Sequence, residues 1–155
     1  MRMGEGVEWG LHCCLTLAWL DERPVSTAKF ATLFELPPAY LKKRLQSLVR
    51  AGILTSAPGV NGGFLLARSP ERITLMDVVT ALEGPDEAFR CTEIRQRGVE
   101  PAPEFARPCG VATAMRRAEL AWRRELAGQT VADLVATAPA EAAARMRQRY
   151  ARLTP

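Results

Sequence analysis

Two adjacent prolines, Pro37 and Pro38, constrain the fold more than any other feature of the sequence. Proline has no backbone N–H and clashes with the preceding turn, so no regular helix continues through this point. Apolar residues recur at helical spacing before it, from the capping residue Ser26 onward, and again after it until Gly52. Because proline suits the first position of a helix, the second helix begins at Pro38. Two short helices separated by about three residues predict a helix-turn-helix.

A predicted β-hairpin follows the second helix. The apolar segments 53–55 and 64–66 bracket a turn in which three glycines and an asparagine permit positive φ. A first helix is predicted over residues 7–20, and Thr74 begins another as part of a capping box. The predicted fold is therefore mainly α with a small β-hairpin wing, a winged helix-turn-helix domain over residues 1–84.

The second half of the chain is organised differently. Residues 85–109 lack sustained periodicity and are expected to form a long loop, bracketed by two cysteines. Residues 110–136 are predicted to form a long helix followed by a short one. The apolar stripe of the long helix is longer than a small winged domain covers. We therefore predict a dimerisation helix that pairs with its symmetry mate. The Ala/Arg-rich segment 137–155 is expected to be a solvated tail.

Composition excludes several classes of protein. The longest apolar run, residues 13–20, is too short for a membrane span, and no ordered signal-peptide regions accompany it. No nucleophile–base pair or nucleotide loop indicates an enzyme or a small-molecule substrate. Four cysteines without an export signal favour metal ligands, redox switches or core thiols over a disulfide framework. We therefore expect a cytoplasmic protein that is not an enzyme.

The net charge of +4, from 21 basic and 17 acidic residues, is too small to identify a partner. Local clustering is more informative, because three basic residues stand together in an acid-free segment of the second helix. In a winged helix this second helix enters the major groove of double-stranded DNA. The expected DNA contacts are Ser26, Thr27, Pro38, Ala39, Lys42, Lys43 and Arg44 in the two helices, and Asn61 and Gly62 in the wing.

Short motifs of the helix-turn-helix, the wing and the following helix occur in a fixed order along the chain. In the order and spacing of these motifs, about residues 5–135 resemble the Rrf2 family of winged-helix transcription regulators. The resemblance implies a homodimer on a palindromic operator and, in many members, a [2Fe-2S] cluster in the loop before the dimerisation helix. The motifs that carry it are Tyr40-Leu41, Ala51-Gly52-Ile53-Leu54, Gly62-Gly63-Phe64-Leu65-Leu66-Ala67-Arg68 and Ile73-Thr74-Leu75.

The loop departs from the usual family pattern of three cysteines, because it holds only two. The segments 6–14, 86–98 and 132–137 are instead similar to an actinobacterial, redox-sensing subgroup of the family. That resemblance implies a different set of ligands for the cluster. The implied ligands are Glu8, His12, Cys91 and Cys109, with Trp9 beside the cluster.

The chemistry of this donor set is consistent with a two-iron cluster, which needs four protein ligands. Glu8 and His12 stand four residues apart, so they project from one face of the first helix. Because imidazole ligands raise the reduction potential in Rieske centres, mixed ligation favours accessible one-electron cycling. Since the dimerisation helix is expected to cross between subunits, the first helix of one chain should meet the cysteine loop of the other.

Three functions remain open at this point. The first is a transcriptional regulator, a repressor, that senses redox state or nitric oxide through the cluster. The second is a cluster-free winged-helix regulator with a reversible disulfide between Cys91 and Cys109, or with zinc on the same four ligands. The third is an enzyme or electron carrier that uses the cluster. Cys13 and Cys14 lie in an apolar helix and are expected to be buried structural thiols.

Overall fold

The computed structural model describes residues 3–97 and 108–153, which form seven α-helices and one two-stranded antiparallel sheet. The mainly α class with a hairpin wing is confirmed. Short 3₁₀ turns occur at Pro70–Arg72 and Ile94–Arg97. The elements are α1 (Glu5–Leu20), α2 (Thr27–Phe34), α3 (Pro38–Arg50), β1 (Leu54–Ala57), β2 (Gly63–Leu66), α4 (Leu75–Glu83), α5 (Gly110–Ala127), α6 (Val131–Thr137) and α7 (Ala142–Arg152).

Helix α1 lies at the centre of the molecule, in contact with α3, α4, α6, α7 and β2. Two glycines let its neighbours approach closely: a Cβ at Gly10 would lie 2.5 Å from Cδ1 of Leu82, and a Cβ at Gly6 would lie 2.7 Å from Nε of Arg44. Cys13 and the adjacent Cys14 are fully buried in this core. The orientation of α1 therefore sets the positions of the helices packed around it.

The helix-turn-helix has the predicted boundaries. Ser26 caps α2, because its side chain accepts a hydrogen bond from the backbone N–H of Lys29 at 3.2 Å. The chain then turns through Glu35, whose φ is 54°. Pro38 occupies the first turn of α3, and the buried leucines of that helix follow at helical spacing: Leu41, Leu45 and Leu48.

The wing pairs β1 with β2, with Leu54 opposite Leu66 and Ala57 opposite Gly63. It is attached to the start of the helix-turn-helix, because Phe64 donates its N–H to the carbonyl of Val25 at 2.9 Å and accepts the N–H of Val25 at 3.0 Å. A side chain at Gly63 would collide with the backbone of Val25. Close backbone approach therefore requires glycine at this point of the wing.

Helix α5 differs from the other long helices because most of it faces outward. Within the described residues, Glu119 is its one buried side chain. Three apolar residues of the helix are exposed: Val111 at 64%, Met115 at 42% and Leu120 at 47%. Val111 and Met115 stand four residues apart and share one face, whereas Leu120 lies on another side of the helix. Exposed apolar side chains of this size on a long helix are typical of a helix that packs against another chain.

The C-terminal segment corrects the prediction of a solvated tail over residues 137–155. Its residues 142–152 form α7, which packs on α1 and α2 with Met146 and Tyr150 buried. Tyr150 also donates its hydroxyl to the carbonyl of Pro24 at 3.0 Å. The two apolar side chains stand four residues apart, so they form one face that the surrounding alanines and arginines obscure in the sequence. The C-terminal helix therefore packs on the first two helices of the winged domain.

A short β-bridge joins the segment just before α4 to the segment just before α6. Leu75 donates its N–H to the carbonyl of Gln129 at 2.9 Å, and Val131 donates its N–H to the carbonyl of Ile73 at 2.9 Å. Val131 is fully buried. Throughout the ranges that the structure describes, no helix has the length and hydropathy needed to cross a bilayer.

Candidate functional site

The exposed start of α3 forms one candidate surface. Pro38, Ala39, Lys42 and Lys43 are all exposed there. Pro38, Ala39 and Lys42 line the outer groove between α2 and α3, together with Thr27 of α2. Positions four apart share a helix face, so the two lysines lie beside the small residues at the helix start. The two lysines can bind a polyanion, and the small residues beside them allow the groove of a DNA duplex to approach closely.

Arg44, also predicted as a DNA contact, is engaged within the chain and lies apart from this surface. Its Nη1 donates to the carbonyl of Leu82 at the end of α4, at 3.0 Å, and its guanidinium carbon lies 4.6 Å from the centre of the Tyr40 ring. The Nη2 group also donates to the Tyr40 hydroxyl. The hydrogen bond to Leu82 directs the Arg44 guanidinium toward α4. Tyr40, one helical turn earlier, lies beside it on the same face of α3.

The remaining predicted contacts lie beside this helix. The Ser26 hydroxyl oxygen is engaged as the cap of α2, and Thr27 is half-buried next to it. Asn61 is exposed at the wing tip, and Gly62 lies half-buried in the same turn. The hydrogen bonds between Phe64 of β2 and Val25 place the wing beside the start of α2.

A second candidate surface runs along the exposed stripe of α1. Glu8 and His12 are exposed there and lie on one face, as their spacing predicts. They border an apolar groove of about 610 Å³, whose wall includes Leu134 of α6. The other apolar residues of the groove are Met3, Val7, Leu11 and Leu15.

Aromatic contacts connect this stripe of α1 to the helix-turn-helix. The ring of Trp9 meets the ring of Tyr40 edge-on, with centroids 5.3 Å apart. The ring of His12 lies 5.9 Å from that of Phe34, the last residue of α2. Edge-to-face aromatic pairs have a preferred geometry. Helix α1 therefore contacts both helices of the helix-turn-helix through aromatic side chains.

The third candidate surface holds the two loop cysteines, and an ion pair between buried Glu119 and half-buried Arg123 fixes its position. Glu119 of α5 accepts the backbone N–H of Ala88 at 3.0 Å and the Nε–H of Arg123 at 2.9 Å. Arg123 in turn donates to the carbonyl of Asp86 at 2.9 Å. These bonds hold the segment before Cys91 against α5.

Cys109 lies at the N-cap of α5, half-buried. The backbone N–H groups of Ala112 and Val111 and the nearby Arg95 guanidinium lower the pKa of the Cys109 thiol. The Arg95 guanidinium is held by Glu93, donating to Oε2 at 2.8 Å, and this bond raises the pKa of Arg95 and lowers that of Glu93.

Arg95 also connects the two loop cysteines electrostatically. Both Cys109 and Cys91 contribute to the raised pKa of Arg95, so each thiol lies within Coulombic reach of the same guanidinium. Residues 98–107 of the predicted cluster loop lie outside the described residues.

The four implied ligands are not assembled within one chain. Among residues 3–97 and 108–153 there is no group of three or more His, Cys, Asp or Glu side chains placed to hold a metal ion. Glu8 and His12 border the groove on α1, whereas Cys91 lies with Ala112 beside α5. Glu8 and His12 therefore lie together on α1, and Cys91 and Cys109 lie near Arg95 on a different surface beside α5.

The remaining two cysteines are unsuited to ligation. Burial raises the pKa of Cys14 to about 12, and burial together with the neighbouring thiol raises that of Cys13 further. A metal ligand must be a thiolate, which this environment disfavours. These positions agree with the expectation that both are structural thiols.

Sequence reasoning missed the residues that organise the cysteine surface. Glu119 and Arg123 stand four residues apart on α5, a pattern that usually marks an exposed helix pair. Their partners lie more than 30 positions away in the chain. Glu93 and Arg95 carried a local signal, because opposite charges next to Cys91 indicate a polarised thiol environment.

A winged helix with a basic, exposed recognition helix is the architecture of a DNA-binding transcription regulator. Residues 3–137 match the model of the Rrf2 family, described as an iron-dependent transcriptional regulator, and the chain belongs to this family. Its relatives are regulators rather than enzymes.

Individual relatives agree with this assignment. The protein rrf2 of Nitratidesulfovibrio vulgaris is 34% identical over 136 residues, which cover 87% of each chain. The solved structure of CymR, the global cysteine regulator of B. subtilis, is similar with a TM-score of 0.69 and 26% identity, covering 90% of this chain and 99% of that one. The structure of T. potens IscR shares the fold with a TM-score of 0.68 and 21% identity, covering 90% and 89%.

The role of Glu119 can be tested by proteolysis. In Glu119→Ala the backbone N–H of Ala88 loses its acceptor and Arg123 loses its carboxylate partner, which costs about 1–3 kcal/mol. We expect trypsin to cleave after the exposed Arg90 about tenfold faster or more, since 1.4 kcal/mol corresponds to a factor of ten. The Glu119→Gln variant keeps an acceptor and should show a smaller increase. Cleavage after Arg145 serves as the internal reference, and equal rates after Arg90 in all three proteins would contradict the assigned role.

Proposed function

We propose that the protein is a homodimeric transcriptional repressor that binds a palindromic operator and senses redox state or nitric oxide through a [2Fe-2S] cluster. The observation that carries the proposal is the division of the donors into two pairs, one on α1 and one beside α5. A sensor of this kind works where the chromosome is, so we place it in the cytoplasm. Double-stranded DNA is its macromolecular ligand, and we propose no membrane partner and no small-molecule substrate.

The exposed apolar surfaces support a dimer that completes the site. The groove on α1 is bordered by Glu8 and His12, and the exposed apolar residues of α5 begin at Val111, two residues after Cys109. If α5 of a second copy covers this groove, its first turn carries Cys109 toward the Glu8 and His12 pair. A two-fold dimer also presents two recognition helices to half-sites about one turn of DNA apart.

The chain's residues fit the cluster as ligands for two different irons. Cys91 and Cys109 would hold one iron as thiolates, and Glu8 and His12 of the second copy would hold the other. The cluster supplies one-electron redox chemistry when bound. Arg95 lies within electrostatic reach of both thiols, and it helps to lower the pKa of Cys109, which favours the thiolate that binds metal.

The contacts of Trp9 support a mechanical connection between the ligands and DNA. Trp9 follows Glu8 directly and packs on Tyr40, and Tyr40 lies under Arg44 near the start of α3. A change in the position of α1 therefore alters the angle of the helix that enters the major groove. Operator affinity then depends on the state of the ligand pair on α1.

Metal analysis tests the cluster. Protein purified without oxygen should contain iron and sulfide in equal amounts, about two of each per chain. In Glu8→Ala the iron loses a ligand while the exposed side chain contributes nothing to the core, so iron content should fall by at least half with the dimer intact. Glu5→Ala, three residues away on the same exposed helix, is the matched control. A colourless wild-type protein, or normal iron content in Glu8→Ala, would refute this ligand set.

The coupling through Tyr40 can be separated from direct DNA contact. Tyr40→Leu removes the ring between Trp9 and Arg44, so the ratio of operator dissociation constants in the oxidised and reduced states should approach one. Tyr40→Phe keeps the ring and should preserve most of the wild-type ratio. Electrophoretic mobility shifts under both conditions measure it. An equal loss of affinity in both states would instead identify Tyr40 as a DNA contact.

A second candidate function is a thiol switch at the same cysteines, favoured by the lowered pKa of Cys109. In this alternative Cys91 and Cys109 form a disulfide, and two electrons and two protons pass to an oxidant such as a peroxide or another disulfide. Zinc on the same ligands is the related metal-bound form. Either would act on DNA through α5 and its contacts with the winged domain.

Alkylation of the metal-free protein tests the thiol chemistry. In a Cys91→Ser variant the iodoacetamide rate of Cys109 should rise with pH through a midpoint below the ordinary thiol value of about 8.5. The pKa is lowered in the folded state, so the thiolate is present at pH values where an ordinary thiol is protonated. Cys13 and Cys14 should remain unmodified until the protein is unfolded. A midpoint at or above the ordinary value contradicts an activated Cys109.

A further inference from the structure

Helix α3 has an exposed face opposite the leucines that it buries. The buried leucines stand at positions 41, 45 and 48. On the other side of the helix, five exposed side chains follow one another at helical spacing. This exposed face of α3 consists of Ala39, Lys42, Lys43, Gln46 and Arg50. It therefore continues about two helical turns past the basic residues at the start of the helix.

Gln46 lies in the middle of the exposed face, between cations. Lys42 and Lys43 stand one turn before it, and Arg50 stands one turn after it. Arg50 donates from Nη2 to the hydroxyl of Ser47 at 3.2 Å. The side chain of Gln46 makes no hydrogen bond to any other residue that the structure describes. Its amide group is therefore free to bind an external ligand.

The side chains of the exposed face differ in the hydrogen bonds that they can form. Ala39 has no polar group, and the lysine and arginine side chains are donors only. No acidic residue occurs in α3 from Pro38 to Arg50. Gln46 is therefore the one residue of the exposed face whose side chain offers both a donor and an acceptor.

This pairing of donor and acceptor matches one base. In the major groove adenine presents the N7 acceptor beside the N6 amino donor, whereas guanine presents two acceptors and cytosine one donor. A glutamine amide can bind both groups of adenine at once. At a rise of about 1.5 Å per residue, Gln46 lies about 10 Å along α3 from Ala39, which corresponds to about three base pairs. The exposed face is thus long enough to present Gln46 to a base of its own.

We propose that Gln46 reads an adenine in the major groove of each operator half-site, donating from Nε2 to N7 and accepting at Oε1 from the N6 amino group. The inference rests on the proposed function and adds a specificity-determining residue to the contacts at the start of α3. The cations on either side of Gln46 can bind phosphates, and such contacts set affinity and position without reading sequence. Gln46 instead determines which base is accepted at one position.

Selection from random-sequence DNA by the full-length chain tests the assignment. The wild type should select adenine at one position of each half-site, preferred by about tenfold over other bases. Gln46→Ala should accept all four bases there and keep the remaining preferences. Gln46→Glu should prefer cytosine at that position, because a carboxylate accepts from the N4 amino group. The matched control is Gln148→Ala, which removes an exposed glutamine from α7.

A base analogue in the selected duplex tests the contact directly. Replacing the adenine by 7-deazaadenine removes N7 and keeps the Watson–Crick pair. The Kd of the wild type should rise about fivefold, because one hydrogen bond is lost. The Kd of Gln46→Ala should not change, since the two alterations remove the same interaction. Gln46 is exposed and alanine favours helices, so α3 should persist in this variant.

The outcomes are distinct. Loss of the adenine preference at one position, with no effect of the analogue on Gln46→Ala, supports the proposal. An equal loss of affinity for all sequences overturns it, because that result identifies a backbone contact. An unchanged selection in Gln46→Ala, or a loss of preference only where the wild type selects another base, also overturns it and leaves the proposed function intact. A wild-type chain that selects no duplex overturns this inference and the proposed function together.

Discussion

The packing of α1 is the constraint on which the rest of the structure depends. Its neighbours α3, α4, α6 and α7 enclose most of its circumference, and glycine at positions 6 and 10 brings two of them within direct contact. A single stripe stays exposed, and Glu8 and His12 lie on it. Because protein interiors are close-packed, α1 cannot shift without displacing the helices around it. The burial that gives the domain its core therefore also ties the position of α1 to that of the recognition helix α3.

Local signals in the sequence were sufficient for most of the fold. The prolines at 37 and 38, the cap at Ser26 and the glycine-containing turn act within a few residues, and each has one physical consequence that tertiary contacts do not reverse. The same is true of the capping box at Thr74 and Asp77, where both reciprocal hydrogen bonds form at 3.0 Å. The shared face of Glu8 and His12 also follows from helical spacing alone.

What the sequence did not reveal depends on contacts between distant residues. Whether α7 packs depends on a surface provided by α1 and α2, which the pattern of Met146 and Tyr150 alone does not describe. Arg44 looked like part of a basic cluster, and only the carbonyl of Leu82 explains why it turns away. Buried Glu119 has the spacing of a surface pair, and its backbone partner is 31 residues distant. The sequence shows which polar side chains are present, whereas it does not show which distant groups they contact.

The separation of the donors into two pairs has a consequence for regulation in the proposed dimer. Neither pair supplies four ligands, so a cluster held by both chains binds the dimer and not the monomer. A ligand that binds one state stabilises that state by mass action, and cluster loss therefore favours dissociation. A dimer places two recognition helices on one operator, so dissociation reduces operator affinity even when each winged domain is unchanged. Assembly and the aromatic contacts of α1 are thus two routes by which one site controls DNA binding, and protein concentration affects only the first of them.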